Sequence, residues 1–302
     1  MKSQDVRVNI SDLNLKNPTM LAAGILGISA PSLRRIARAG AGAVVTKSIS
    51  LHPKKGNLNP TIVETECGFL NALGLPNPGI EDFKSEITDL RKEDIPIIVS
   101  IFGKSPREFA QVAIEVEKAG GNAVEINVSC PHEEVGQIGQ NAQLTAEVVK
   151  AVKESIKIPV FVKLTPNVTE IKEIALAAEK AGADAITAIN TLRAMAIDIE
   201  TGYSILFNRF GGLSGPAIRP LAVRCIYEIY ETTKIPIIGA GGVSNWKDAI
   251  ELILAGASAV QIGTILRSGL NVFKEIKDGI KSYLKAKNLG NISQIIGLAH
   301  KR

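Results

Sequence analysis

The chain has 302 residues, 45% of them hydrophobic and 22% charged, a balance that supports a packed core and excludes disordered or collagen-like protein. The net charge of +5 is spread over many lysines without a run of five or six, which speaks against a nucleic-acid partner and gives mild support to anionic small ligands. Three cysteines, Cys67, Cys130 and Cys225, are too few and too far apart for a disulfide framework or a metal cluster. No apolar run approaches the roughly 18 residues that cross a bilayer.

In chain order, the first ten residues, MKSQDVRVNI, lack the apolar centre of a signal peptide, so a cytoplasmic protein is expected. Residues 6–10 and 13–15 read as short extended segments that could plug the bottom of a barrel, and residues 19–23 as its first strand. A quasi-repeat then sets the architecture. Ala-Gly-x-x-Ala followed by apolar residues occurs at 39–43, 181–185 and 255–259, with the variant Ala119-Gly-Gly-Asn-Ala123. A glycine closes a helix in the left-handed conformation at little cost, and small alanines let that helix sit close to the strand that follows, so each repeat marks a helix end and a strand start. These give the second, fourth, sixth and eighth strands.

The third, fifth and seventh strands open with proline, where no ladder bond is lost: Ile95-Pro-Ile-Ile-Val99, Ile158-Pro-Val-Phe-Val162 and Ile235-Pro-Ile-Ile-Gly239. The strands are continuously apolar, as parallel strands buried on both faces are, and amphipathic stretches such as 108–119 and 168–181 lie between them. A final amphipathic helix is expected over 271–287. The predicted fold is one α/β domain, 1–302, a parallel eight-stranded (βα)8 TIM barrel. An open doubly wound sheet is disfavoured because Gly24 to Gly27 does not form a dinucleotide fingerprint after the first strand. After the sixth strand a long, glycine-containing excursion, 190–215, is expected to cover the active site.

Barrel chemistry sits at the C-terminal strand ends. Here they read Ala23-Gly24, Thr46-Lys47-Ser48, Ser100, Glu125-Ile-Asn127-Val-Ser-Cys130, Lys163, Asn190-Thr191, Gly239-Ala-Gly-Gly242 and Gly263-Thr264. The bare amides after the last two strands point to a phosphate group. Lys163, inside the barrel mouth, needs an anion or an electron-rich ring to offset its burial. Cys130 precedes Pro131 on the loop after the fourth strand, where a thiol can serve as acid or base, although a buried inert cysteine is the commoner case. Cys67 and Cys225 are assigned no role. His52, His132 and His300 have no metal-ligand spacing, so no metal is expected.

Taken together, Lys47-Ser48, Asn71-Ala-Leu-Gly-Leu75, Asn127-Val-Ser-Cys-Pro131, Lys163-Leu-Thr-Pro-Asn167, Asn190-Thr191, Gly211-Gly-Leu-Ser-Gly-Pro216 and Gly239-Ala-Gly-Gly242 resemble the dihydroorotate dehydrogenases, in order from about residue 8 to 298. The cysteine resembles the soluble class 1 enzymes, most of all the type B catalytic subunit, because membrane-bound relatives carry serine there. The resemblance implies FMN-dependent oxidation of dihydroorotate to orotate in pyrimidine biosynthesis, with Cys130 taking the C5 proton. It implies FMN contacts at Ala23, Lys47, Ser48, Ser100, Asn127, Lys163, Ile189, Gly215, Gly241, Gly242, Gly263 and Thr264. The substrate contacts it implies are Lys47, Asn71, Ala72, Leu73, Gly74, Leu75, Asn127, Asn190 and Thr191.

This chain departs from the family pattern in three places: Ala23 stands where relatives often have serine, Ser100 where they often have asparagine, and His132 where asparagine often follows Cys-Pro. The loop 131–141 is expected to act as a lid. A homodimer is implied, or a heterotetramer with an electron-transfer subunit carrying FAD and an iron–sulfur centre. Competing readings are a dihydropyrimidine-type flavin reductase and a flavin-free, phosphate-binding lyase or synthase with Lys163 as a Schiff-base amine.

Overall fold

The computed structural model describes residues 4–128 and 138–301. An antiparallel hairpin, β1 (Val8–Ile10) and β2 (Leu13–Leu15), leads into the barrel and buries Val8, Ile10, Leu13 and Leu15 in its core. The barrel strands are β3 (Thr19–Leu21), β4 (Ala43–Val45), β7 (Ile97–Ile101), β8 (Ala123–Asn127), β9 (Val160–Leu164), β10 (Ala185–Ala188), β13 (Ile237–Ala240) and β14 (Ala257–Ile262). They close in the order β10-β13-β14-β3-β4-β7-β8-β9, all neighbours parallel, which excludes the open sheet. Helices α1 (Ala30–Arg38), α2 (Ile80–Leu90), α3 (Pro106–Ala119), α4 (Ala142–Lys153), α5 (Ile171–Lys180), α6 (Arg219–Thr232), α7 (Trp246–Ala255) and α8 (Val272–Ala286) complete it.

The Ala-Gly repeat behaves as its chemistry requires: Gly40, Gly120, Gly182 and Gly256 all have positive φ, between 90° and 129°, at the helix ends that precede β4, β8, β10 and β14. A second device, not legible beforehand, joins the same corners. Glu117 near the end of α3 accepts from the Lys157 and Ile158 amides (2.7 and 3.1 Å), and Glu179 near the end of α5 accepts from the Lys234 and Ile235 amides (2.6 and 3.2 Å). Each carboxylate thus holds the chain two strands further on as it enters an Ile-Pro strand. Glu179→Ala should lower stability by about 1 kcal/mol, since the bonds are charge-assisted but partly open to water. Thermal unfolding checks this, and a midpoint equal to that of the unaltered chain would refute it.

The structure differs from expectation in two ways. The first strand ends at Leu21, so Ala23 lies on the loop beyond it. The excursion 190–215 is not merely a loop: β11 (Leu192–Met195) and β12 (Phe210–Ser214) join β5 (Ile62–Thr65) and β6 (Gly68–Asn71) in an antiparallel sheet of order β11-β12-β6-β5. These strands alternate in burial or are glycine-rich and carry no continuous apolar signal.

Candidate active site

Five of the expected residues form one hydrogen-bonded row across the rim. Ser100 at the end of β7 has its Oγ 2.8 Å from Ser48 Oγ, and Ser48 Oγ accepts from Asn127 Nδ2 (3.1 Å). Asn127 Oδ1 accepts from Asn190 Nδ2 (3.2 Å), whose own Oδ1 holds the Thr191 amide (2.8 Å). Ser48, Ser100 and Asn127 are buried, so their polar atoms depend on these partners. The row continues onto the antiparallel sheet. A Cβ on Gly212 would lie 2.1 Å from Thr191 Oγ1, so only glycine fits there, and the Gly212 carbonyl accepts from Asn71 Nδ2 (3.2 Å).

The expected substrate segment, Asn71, Ala72, Leu73, Gly74 and Leu75, is clamped from behind by two asparagines that sequence reasoning missed. Asn57 donates from Nδ2 to the Ala72 carbonyl (2.8 Å) and from its amide to the Leu73 carbonyl (3.0 Å). Asn77 donates to the Leu75 carbonyl (3.0 Å). Gly74 and Leu75 both take positive φ, 77° and 54°, which turns the segment sharply at the rim.

Lys163, at 6% exposure, is not short of a counter-charge as its sequence context suggested. Its Nζ donates to Gln261 Oε1 (2.9 Å) and stands 3.7 Å from Glu125 Oε1. The other Glu125 oxygen accepts from Gln261 Nε2 (2.5 Å) and Thr187 Oγ1 (2.9 Å). Glu125 was read as part of a strand end but given no role and Gln261 was missed, although each is a long polar side chain in a mostly apolar strand, Ala-Val-Glu-Ile-Asn and Ser-Ala-Val-Gln-Ile, which was the available signal.

Lys47, the other cation, has no ion pair or side-chain hydrogen bond among the described residues, and its partial burial pushes its pKa below the ordinary lysine value. Its backbone amide donates to the Gly27 carbonyl (2.8 Å), which draws the loop after β3 against it.

The turns expected to hold a phosphate converge. Gly241 and Gly242 have positive φ, and a Cβ on Gly242 would meet the Arg219 backbone amide at 2.9 Å, at the start of α6. Ile189 lies beside Gly241 and donates to the Ala240 carbonyl (2.8 Å). Gly215 packs on Gly68, and Thr264, next to Gly263, donates to Ser214 Oγ (2.9 Å). Gly263 in turn lies against Ala22 and Ile25, beside Ala23.

Cys130, His132 and residues 131–137 of the expected lid, 131–141, fall outside the described residues. Of the other thiols, Cys67 is exposed and Cys225 is buried in α6, where desolvation pushes its pKa up and disfavours a thiolate.

Residues 5–284 match the family model described as dihydroorotate dehydrogenase. The chain belongs to the dihydroorotate dehydrogenase family. It is 53% identical over 298 residues to a Methanocella arvoryzae protein named dihydroorotate dehydrogenase B (NAD(+)), catalytic subunit, covering 98% of each chain. A Pyrococcus abyssi protein of the same name is 52% identical, over 98% of this chain and 99% of its own. Among solved structures, DHODH from Eimeria tenella in complex with ferulenol superposes with a TM-score of 0.87, covering 99% of this chain and 89% of that one at 23% identity, a likeness of fold.

Proposed function

We propose that this chain oxidises dihydroorotate to orotate with FMN at the C-terminal rim, Cys130 acting as the base, and that it is the catalytic subunit of a type B enzyme. The observation that carries the reading is the single rim that joins an asparagine-lined row, two lysines and the paired-glycine turns in a chain of this family. The residues fit FMN: Gly241 and Gly242, both at positive φ, lie so close to the start of α6 that side chains there would clash, which brings bare backbone and a helix start together at the rim, and Lys163 brings positive charge to the barrel mouth. When bound, FMN supplies the acceptor for the C6 hydride.

Every other step belongs to the protein. Cys130, as the thiolate, removes the C5 proton and becomes the thiol, while the C5–H electron pair becomes the new C5=C6 bond. C5 lies next to a carbonyl, so its proton is weakly acidic and needs a positioned base. Asn71, Asn127 and Asn190 offer paired donors and acceptors to the imide edges, with Ala72 to Leu75 and Thr191 closing the pocket. Ala23, Ser48, Ser100, Ile189, Gly215, Gly263 and Thr264 are assigned to the flavin.

Electrons leave through a partner subunit carrying FAD and an iron–sulfur centre, since the matched relatives are named NAD(+)-type catalytic subunits and this chain has no dinucleotide fingerprint. No helix among the described residues is long and apolar enough to cross a membrane. Anaerobic dihydroorotate should bleach the flavin absorption of the purified protein, and dihydrouracil should not; bleaching by dihydrouracil alone would assign it to the dihydropyrimidine reductases.

Lys47 gives this reading a pH signature. Burial disfavours its charged form, and a bound orotate carboxylate favours it, so orotate affinity should be greatest below the depressed pKa and fall as pH rises through it. The measurement is orotate titration of flavin absorbance in the Cys130→Ala protein, where the thiol no longer titrates. Lys47→Met should bind more weakly with a flat profile, and a profile unchanged by that substitution would remove Lys47 from the site.

A further inference from the structure

A (βα)8 barrel interior is ordinarily filled by layers of branched apolar side chains contributed by alternate strands. This barrel contains one polar layer. Thr187 on β10 and Gln261 on β14 both donate to Glu125 on β8, and β8 and β14 stand on opposite sides of the closed order, so the bonds run through the barrel's interior. Glu125 is 0% exposed and Gln261 2%. A buried carboxylate of this kind contributes little net stability even when paired, so packing alone does not account for it.

The geometry of the layer is directed at Lys163. Gln261 spends its oxygen on the ammonium and its NH2 on Glu125, while Glu125 Oε1 remains buried without a hydrogen bond, 3.7 Å from Nζ. The amide therefore holds the ammonium away from full contact with the carboxylate. We propose that Glu125 and Gln261 are positioning residues that set the potential of the bound flavin through Lys163: the carboxylate draws the positive charge down into the barrel, and the glutamine limits how far it goes. The inference rests on the FMN reading above.

The two residues act with opposite sign. Glu125→Gln keeps the shape and removes a negative charge, so the ammonium is freed toward the reduced, anionic flavin. Reduced FMN should then bind about tenfold more tightly relative to oxidised FMN, an upward shift of about 30 mV for a two-electron couple. Gln261→Met fills the same space but lets the ammonium close on Glu125, and the potential should fall.

The experiment is a spectroelectrochemical titration of the flavin-replete protein and both variants, with melting temperatures recorded alongside. Opposite shifts support the assignment. Melting changes without a shift in potential, or shifts of the same sign, overturn it and leave a packing role. If E125Q does not accumulate, the Gln261→Met protein carries the test, and an unchanged or raised potential there overturns it. Wild-type protein that takes up no FMN overturns the functional reading and this inference with it, whereas flavin-replete E125Q with an unchanged potential overturns this inference alone.

Discussion

Replacing Cys130 by alanine is expected to leave the protein yellow while slowing anaerobic flavin reduction by dihydroorotate about 10²- to 10⁴-fold, the contribution of a positioned general base. The FMN contacts proposed here lie on β7 and β9, just beyond β3, β4 and β10, and in the glycine turns, none of which depends on the sulfur, so cofactor content should be unchanged. Stopped-flow reduction separates this step from electron transfer to any acceptor. Because the thiolate is the active form, the wild-type rate should rise with pH to a plateau and the residual rate of the variant should lose that dependence. A variant that reduces its flavin at the wild-type rate would hand the proton to another group.

Lys163→Ala should have the largest effect on the folded protein itself. It leaves the Glu125 carboxylate, fully buried, without its cation, and breaking a buried pair from one side costs about 3–5 kcal/mol. FMN affinity should drop as well. The double variant Lys163→Ala with Glu125→Gln separates the two losses: neutralising the stranded carboxylate should restore most of the stability and none of the lost flavin affinity. Thermal melting and flavin titration of the three proteins check this, and full recovery of both properties in the double variant would deny Lys163 any direct part in holding the cofactor.

The barrel was legible because its signals are local. Ala39-Gly40 and its counterparts need only a helix end and a tight strand start, and the Ile-Pro pairs need only a strand with a free first position, so each strand announces itself within five residues. The antiparallel sheet was not legible because its pairing joins residues far apart: Asn71 meets Gly212, 141 positions along the chain. Nothing near Gly211-Gly212 favours a strand until that partner is present. The rim row of Ser48, Asn127 and Asn190 followed from strand ends and resemblance, whereas Glu125 and Gln261 were passed over because they sit one layer deeper, where a residue's partners depend on which strands face each other across the closed circle. For the same reason Lys163 could be recognised as needing a counter-charge, but not as already having one within the protein.

The antiparallel sheet also divides the labour of the polypeptide unevenly. Its inner strands come from opposite halves of the gene product, and the expected phosphate turns all lie in the later half while Lys47, Ser48 and Asn127 lie in the earlier one. A chain severed between β9 and β10 would therefore leave neither fragment with a complete pyrimidine wall, and only the later one with the phosphate turns. Such long-range closure makes the wall slow to form, and a nascent chain cannot complete it until β12, Phe210–Ser214, has been synthesised.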